Sequence, residues 1–150
     1  MRKILLSLLL ILTLLSVNVY AAPREVTVKV NDIKVVSPVP ARIVNGRTML
    51  PMRSIFERIG AKVTWMNTER IIIATKGNLL ITMQIDNAIM SVQKIENDDV
   101  IKIELDSPPF IVSGSTLVPV RAVAESLGCK VEWDQQTYTA NIVTVTNKEN

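Results

Sequence analysis

The sequence predicts an α+β fold: mostly antiparallel β-sheet carrying two short helices, built by internal duplication of a strand-turn-strand-helix-strand unit. Three observations predict it. The stretch "TMLPMRSIFERIGAKVTW" at 48–65 returns 68 positions later as "TLVPVRAVAESLGCKVEW" at 116–133. Apolar and polar residues alternate between turn dipeptides through most of the remaining chain, the period of a half-buried strand. Only two segments, one in each repeat, place apolar residues at helical spacing.

The first 21 residues stand apart. Arg2 and Lys3 precede an apolar run over 4–15 that relaxes into "SVNVYAAPRE". A basic start, a run of that length and a small-residue exit make an export signal, with cleavage expected after Ala21. If it is not cleaved, the same segment would be the chain's one contact with a membrane. Removing it takes away two basic side chains and leaves 15 basic against 14 acidic ones. So near neutrality, the net charge gives no case for nucleic-acid binding, and none is expected. The stretch 22–150 is long enough for a single domain with its own core, with related units at about 26–76 and 88–146.

The elements follow in order. "EVTVKV" and "IKVV" flank Asn31 and Asp32 as a hairpin. In the first unit, Ile43 and Val44 meet a turn at Asn45 and Gly46, and "TML" then runs into Pro51, where a helix begins because proline suits the first turn. Met52, Ile55, Phe56 and Ile59 form its apolar face, and Gly60 supplies the left-handed residue that ends it. "AKVTW" leaves as a strand. "RIIIAT", "LLITMQI", "AIMSVQKI" and "VIKIEL" continue as strands separated by polar turns, the last of them the acidic "ENDD". The second unit repeats the script: Ile111 and Val112, a turn at Ser113 and Gly114, "TLV", Pro119, a helix with Val120, Val123, Ala124 and Leu127 inward, Gly128, then "CKVEW". "TYTANIVTVT" closes the sheet, and 147–150 should fray. With no low-complexity linker, the two units are expected to share one core.

Twelve of the 26 aligned positions over 40–65 are identical in the second unit. Among them are Gly46/Gly114, Pro51/Pro119, Arg53/Arg121, Glu57/Glu125, Gly60/Gly128 and Trp65/Trp133. At "NGRTMLPMRSIFERIGAKVTW" and "SPPFIVSGSTLVPVRAVAESLGCKVEWD" the chain resembles the copper amine oxidase-like N-terminal domain, or stalk domain, that recurs in exported bacterial proteins. The resemblance spans about residues 26–143. It implies a sheet-and-helix unit that stands outside a catalytic body and performs no chemistry, often beside modules that act on cell wall or polysaccharide.

Four residues are candidate binding groups. Arg53 and Arg121, near the helix starts, could hold a carboxylate or phosphate. Each also precedes a glutamate by four residues, and the retention of both members favours a scaffold pair. Trp65 and Trp133 could stack on sugars, yet each follows an inward-facing valine by two positions, which favours packing in the core. Met49, Met52, Met66, Met83 and Met90 offer soft sulfur for copper. Because Leu117 and Val120 replace two of them in the second unit, they are read as filler, and no metal or other cofactor is expected. The "ENDDV" stretch lacks the glycine and ligand alternation of a calcium loop. Cys129, alone, is read as buried, with pairing between chains as the other possibility.

Catalysis has no histidine base, nucleophile elbow or phosphate loop to work with. The expected function is therefore a non-catalytic, secreted stalk or binding module at the cell envelope. Its expected partner is cell-wall polysaccharide, peptidoglycan or another exported protein. The alternative is a carbohydrate-active enzyme that uses a carboxylate pair with tryptophan stacking.

Overall fold

Two-residue turns set the pattern of this chain. In the computed structural model, which describes residues 25–145, β1 (Thr27–Val30) turns through Asn31 and Asp32 into β2 (Ile33–Lys34). Both turn residues have positive φ, 48° and 64°, the geometry whose twist matches a hairpin. The expected export signal over 1–21 and the fraying end at 147–150 lie outside the described residues.

The same device recurs in each unit. β3 (Arg42–Val44) and β4 (Arg47–Pro51) are joined by Asn45 and Gly46, and β10 (Phe110–Val112) and β11 (Ser115–Pro119) by Ser113 and Gly114. The φ values agree closely between them, 50° and 72° against 48° and 74°. β4 and β11 then pair antiparallel, with Val118 opposite Leu50. The order β10-β11-β4-β3 thus makes one sheet from both units. Its inner strands are buried on both faces. Leu50 and Val118 enter the main core, while Met49 and Leu117 meet Val39 in a small second cluster.

Each inner strand runs directly into a helix, α1 (Met52–Arg58) or α2 (Val120–Ser126). Pro51 and Pro119 are the last strand residues and the N-caps, so each helix starts one residue later than expected. Their extended ψ, 123° and 111°, explains the shift, because the chain is still leaving the sheet at the proline. The faces expected to be apolar are buried, with Ile55, Phe56, Val123 and Ala124 fully enclosed. Gly60 and Gly128, both at φ +75°, follow the helix ends.

The chain next builds two further sheets. β5 (Lys62–Met66), β6 (Ile71–Lys76), β7 (Leu79–Gln84), β8 (Ile89–Lys94) and β9 (Val100–Glu104) form an antiparallel meander. The acidic turn closes its last hairpin: Asn97 Nδ2 donates to Asp99 Oδ2 (2.6 Å) and the Lys94 amide to the Asp99 carbonyl (3.0 Å). β12 (Cys129–Asp134) and β13 (Thr139–Thr144) join β1 and β2 in the order β12-β13-β1-β2. There β1 and β13 run parallel, with Val28 opposite Ala140 and Val30 opposite Ile142. The core is shared as expected, since one buried cluster draws on β1, both helices, β6–β8, β12 and β13. Met49, Met52, Met83 and Met90 are buried, and Cys129 is buried beside Lys76, whose Nζ lies 3.7 Å from its Sγ.

Candidate functional site

Antiparallel pairing of β4 with β11 brings each helix start next to the other unit's hairpin tip. Leu117 opposite Pro51 sets Ser115 near α1, and Met49 opposite Pro119 sets Arg47 near α2. The second of these junctions opens into a groove of about 890 Å³, within the usual size of a ligand site.

One wall of the groove is α2, from which Arg121 and Glu125 face it. They form an ion pair across one helical turn, 3.8 Å between Arg121 Nε and Glu125 Oε1, with both side chains 52% exposed. The opposite wall is the β3–β4 tip with the end of β9. Arg47 Nε donates to Asp106 Oδ2 (2.6 Å), and Asn45 Nδ2 donates to the Asp106 carbonyl (3.3 Å). Below them the Ser107 hydroxyl, almost wholly buried, donates to the Val44 carbonyl (3.0 Å). These three bonds pin residues 106 and 107 to the tip of a hairpin about sixty positions earlier. Glu104 lines the same side, exposed and without an ion pair among the described residues.

Two aromatic rings complete the groove, Trp133 and Tyr138. Their centroids are 5.3 Å apart at 67°, an edge-to-face pair. The four-residue turn between β12 and β13 holds them together. Asp134 accepts from the Thr137 hydroxyl (2.7 Å) and from the amides of Gln136 (2.8 Å) and Thr137 (3.3 Å). Those bonds, the Thr137 hydroxyl first, hold the Asp134 carboxyl below the ordinary carboxylate pKa. The Trp133 indole N–H donates to Gln135 Oε1 (2.8 Å), which fixes the ring's azimuth.

Both tryptophans, expected to pack in the core, meet it without being enclosed. Each is half-buried and packs one side against the core, because β5 and β12 are the outer strands of their sheets. Trp65 repeats the local bond, its indole N–H donating to Asn67 Oδ1 (3.3 Å), yet it lines neither the groove nor its counterpart. That counterpart, at the start of α1, is a recess of about 590 Å³ with Arg53, Glu57 and Arg58 but no aromatic ring. Arg53 and Glu57 form no ion pair among the described residues, so the expected scaffold pair exists only on α2. Of the four candidate binding residues, Arg121 and Trp133 share the groove, and Arg53 and Trp65 lie elsewhere.

The groove also contains residues that reading for identity between the units passes over: Arg47, Glu104, Asp106 and Tyr138. All four stand where the units differ. Position 115 is serine against Arg47, position 36 is valine against Glu104, position 38 is proline against Asp106, and position 70 is arginine against Tyr138. The usable signal was departure from the repeat.

A family model for the copper amine oxidase N-terminal domain matches residues 29–142. The chain belongs to that family, whose domain is a non-catalytic, stalk-type unit. Neither a curated protein nor a solved structure matches the chain. Among the described residues, no three acidic, cysteine or histidine side chains are grouped to hold a metal ion.

Proposed function

We propose that this chain is a non-catalytic, exported binding module at the cell envelope, and that wall polysaccharide is its ligand. The observation that carries the reading is the convergence of Trp133, Tyr138, Arg121 and Glu125, with the Arg47–Asp106 pair, on one open groove. Aromatic faces meet the C–H face of a pyranose, and charged groups at the rim bond its hydroxyls. The export reading rests on the composition of residues 1–21, and the non-catalytic reading on the family. The matched turns, prolines and helix-ending glycines support descent of the two units from one duplicated unit.

A carbohydrate-active enzyme is the second reading, favoured by three carboxylates, Glu104, Asp106 and Glu125, at the same groove. Two of them are committed to arginines and stand more than half exposed, an arrangement suited to binding hydroxyls and unlike a buried general acid. Titration of purified wall polysaccharide by calorimetry tests the proposal. Trp133→Ala should weaken binding at least about tenfold, the scale of a central aromatic contact, and Trp65→Ala should leave it unchanged. Equal losses in both variants, or in neither, would remove the groove from the function. Release of reducing ends during the titration would put the enzyme reading in its place.

A further inference from the structure

The groove holds two guanidinium groups, Arg47 and Arg121, against three carboxylates, Glu104, Asp106 and Glu125. Both guanidiniums already face a carboxylate inside it, at 2.6 Å and 3.8 Å. The carboxylate left over is Glu104, on the last residue of β9. A polymer bearing phosphodiester or uronate charges would meet an uncompensated negative group, and would recruit an arginine only by displacing the acid that faces it. Like-charge contacts of this kind work against a partner more strongly than rim pairs favour one.

A neutral pyranose meets the same groups differently. Carboxylates accept from hydroxyls, guanidiniums donate to ring and hydroxyl oxygens, and Trp133 and Tyr138 supply apolar faces. We infer that the groove selects uncharged glycan chains over anionic ones, through Glu104 as the discriminating charge, and that each chain carries one such site. The single site follows from the recess at α1, where two arginines stand against Glu57 and no ring is present. This inference rests on the polysaccharide reading above and narrows its ligand.

The test uses the whole mature chain and calorimetric titration at low salt. The probes are a panel of neutral gluco-, manno-, galacto- and N-acetylglucosamine oligosaccharides, together with the oligouronates of matching length. The expected result is one neutral oligosaccharide bound per chain. Its uronate should bind at least about tenfold more weakly, and Glu104→Gln should narrow that gap. Uronate binding as tight as the neutral chain's, or a gap unchanged in Glu104→Gln, would overturn the charge selection and leave the polysaccharide reading standing. Two neutral chains per protein would overturn the single site. Failure of the entire panel would overturn the polysaccharide reading itself.

Discussion

Tyr138 has φ +54°, a left-handed backbone that bulky side chains rarely adopt, and Arg70 holds the same place in the first unit at +56°. The turn before Tyr138 is held in shape by Asp134, whose carboxylate takes three hydrogen bonds from Gln136 and Thr137. These bonds favour the charged form, so the folded-state pKa is lowered relative to the unfolded chain. A lowered carboxylate contributes stability that is complete above the unfolded pKa, about 4, and is lost as pH falls through the folded value. The melting temperature of the wild type should therefore exceed that of Asp134→Ala at neutral pH, with the gap closing as pH falls below the unfolded value of about 4. A gap that is constant across a pH series would show that the carboxylate's charge does not hold the turn. Trp133 and Tyr138 flank this turn, so its loss should also loosen the ring pair.

At the scale of elements, each helix is seven residues long and has no side-chain cap at its proline end. Packing and the terminating glycine must hold such short helices, since isolated ones of this length do not persist in water. A methyl group on Gly60 or Gly128 would meet open space, so the cost of substitution comes from φ alone. Gly60→Ala and Gly128→Ala should each lose about 1 kcal/mol, read as a drop of a few degrees in melting temperature. No change in either would mean that the helix ends relax freely out of the left-handed conformation. These elements were legible because their causes are local: Asn45 and Gly46 make a turn, Pro51 stops a strand, and apolar spacing makes α1 and α2. The groove was legible only in part. Arg121 sits on a recognisable helix face, but its neighbours across the groove, Arg47 and Asp106, are joined to one another over 59 positions. Such proximity depends on how strands of different units pair, which no local pattern records. That Trp133 meets the core on one side only is hidden from the sequence for the same reason. Alternation along β12 tells which side the ring takes, and only the sheet order tells that β12 is an outer strand.

The whole molecule is interlocked in a way that its two units do not suggest. If each unit were self-contained, β1 and β2 would complete a sheet with β5 and β6. Instead they join β12 and β13, and β1 lies parallel to the last strand with Val30 beside Ile142. β4 likewise finds its inner neighbour, β11, in the other unit. Dividing the chain after residue 86 would therefore break the pairing of β1 with β13, of β4 with β11, and of β7 with β8, and would open the common core around Phe56, Ile72, Val123 and Ile142. The N-terminal piece would expose β1, β4 and β7 as unpaired apolar edges, a state that invites aggregation. Each piece is also of a size at which burial barely offsets chain entropy even when a core is intact. Separately purified fragments covering 25–86 and 87–145 should lack a cooperative thermal transition by circular dichroism. Mixed in equal amounts, they should regain one, because the missing strands are then supplied in trans. A cooperative transition in either fragment alone would show that the units are autonomous and merely abut. In that case the groove, which takes Arg47 from one fragment and Arg121, Trp133 and Tyr138 from the other, would be an interface between two folded bodies.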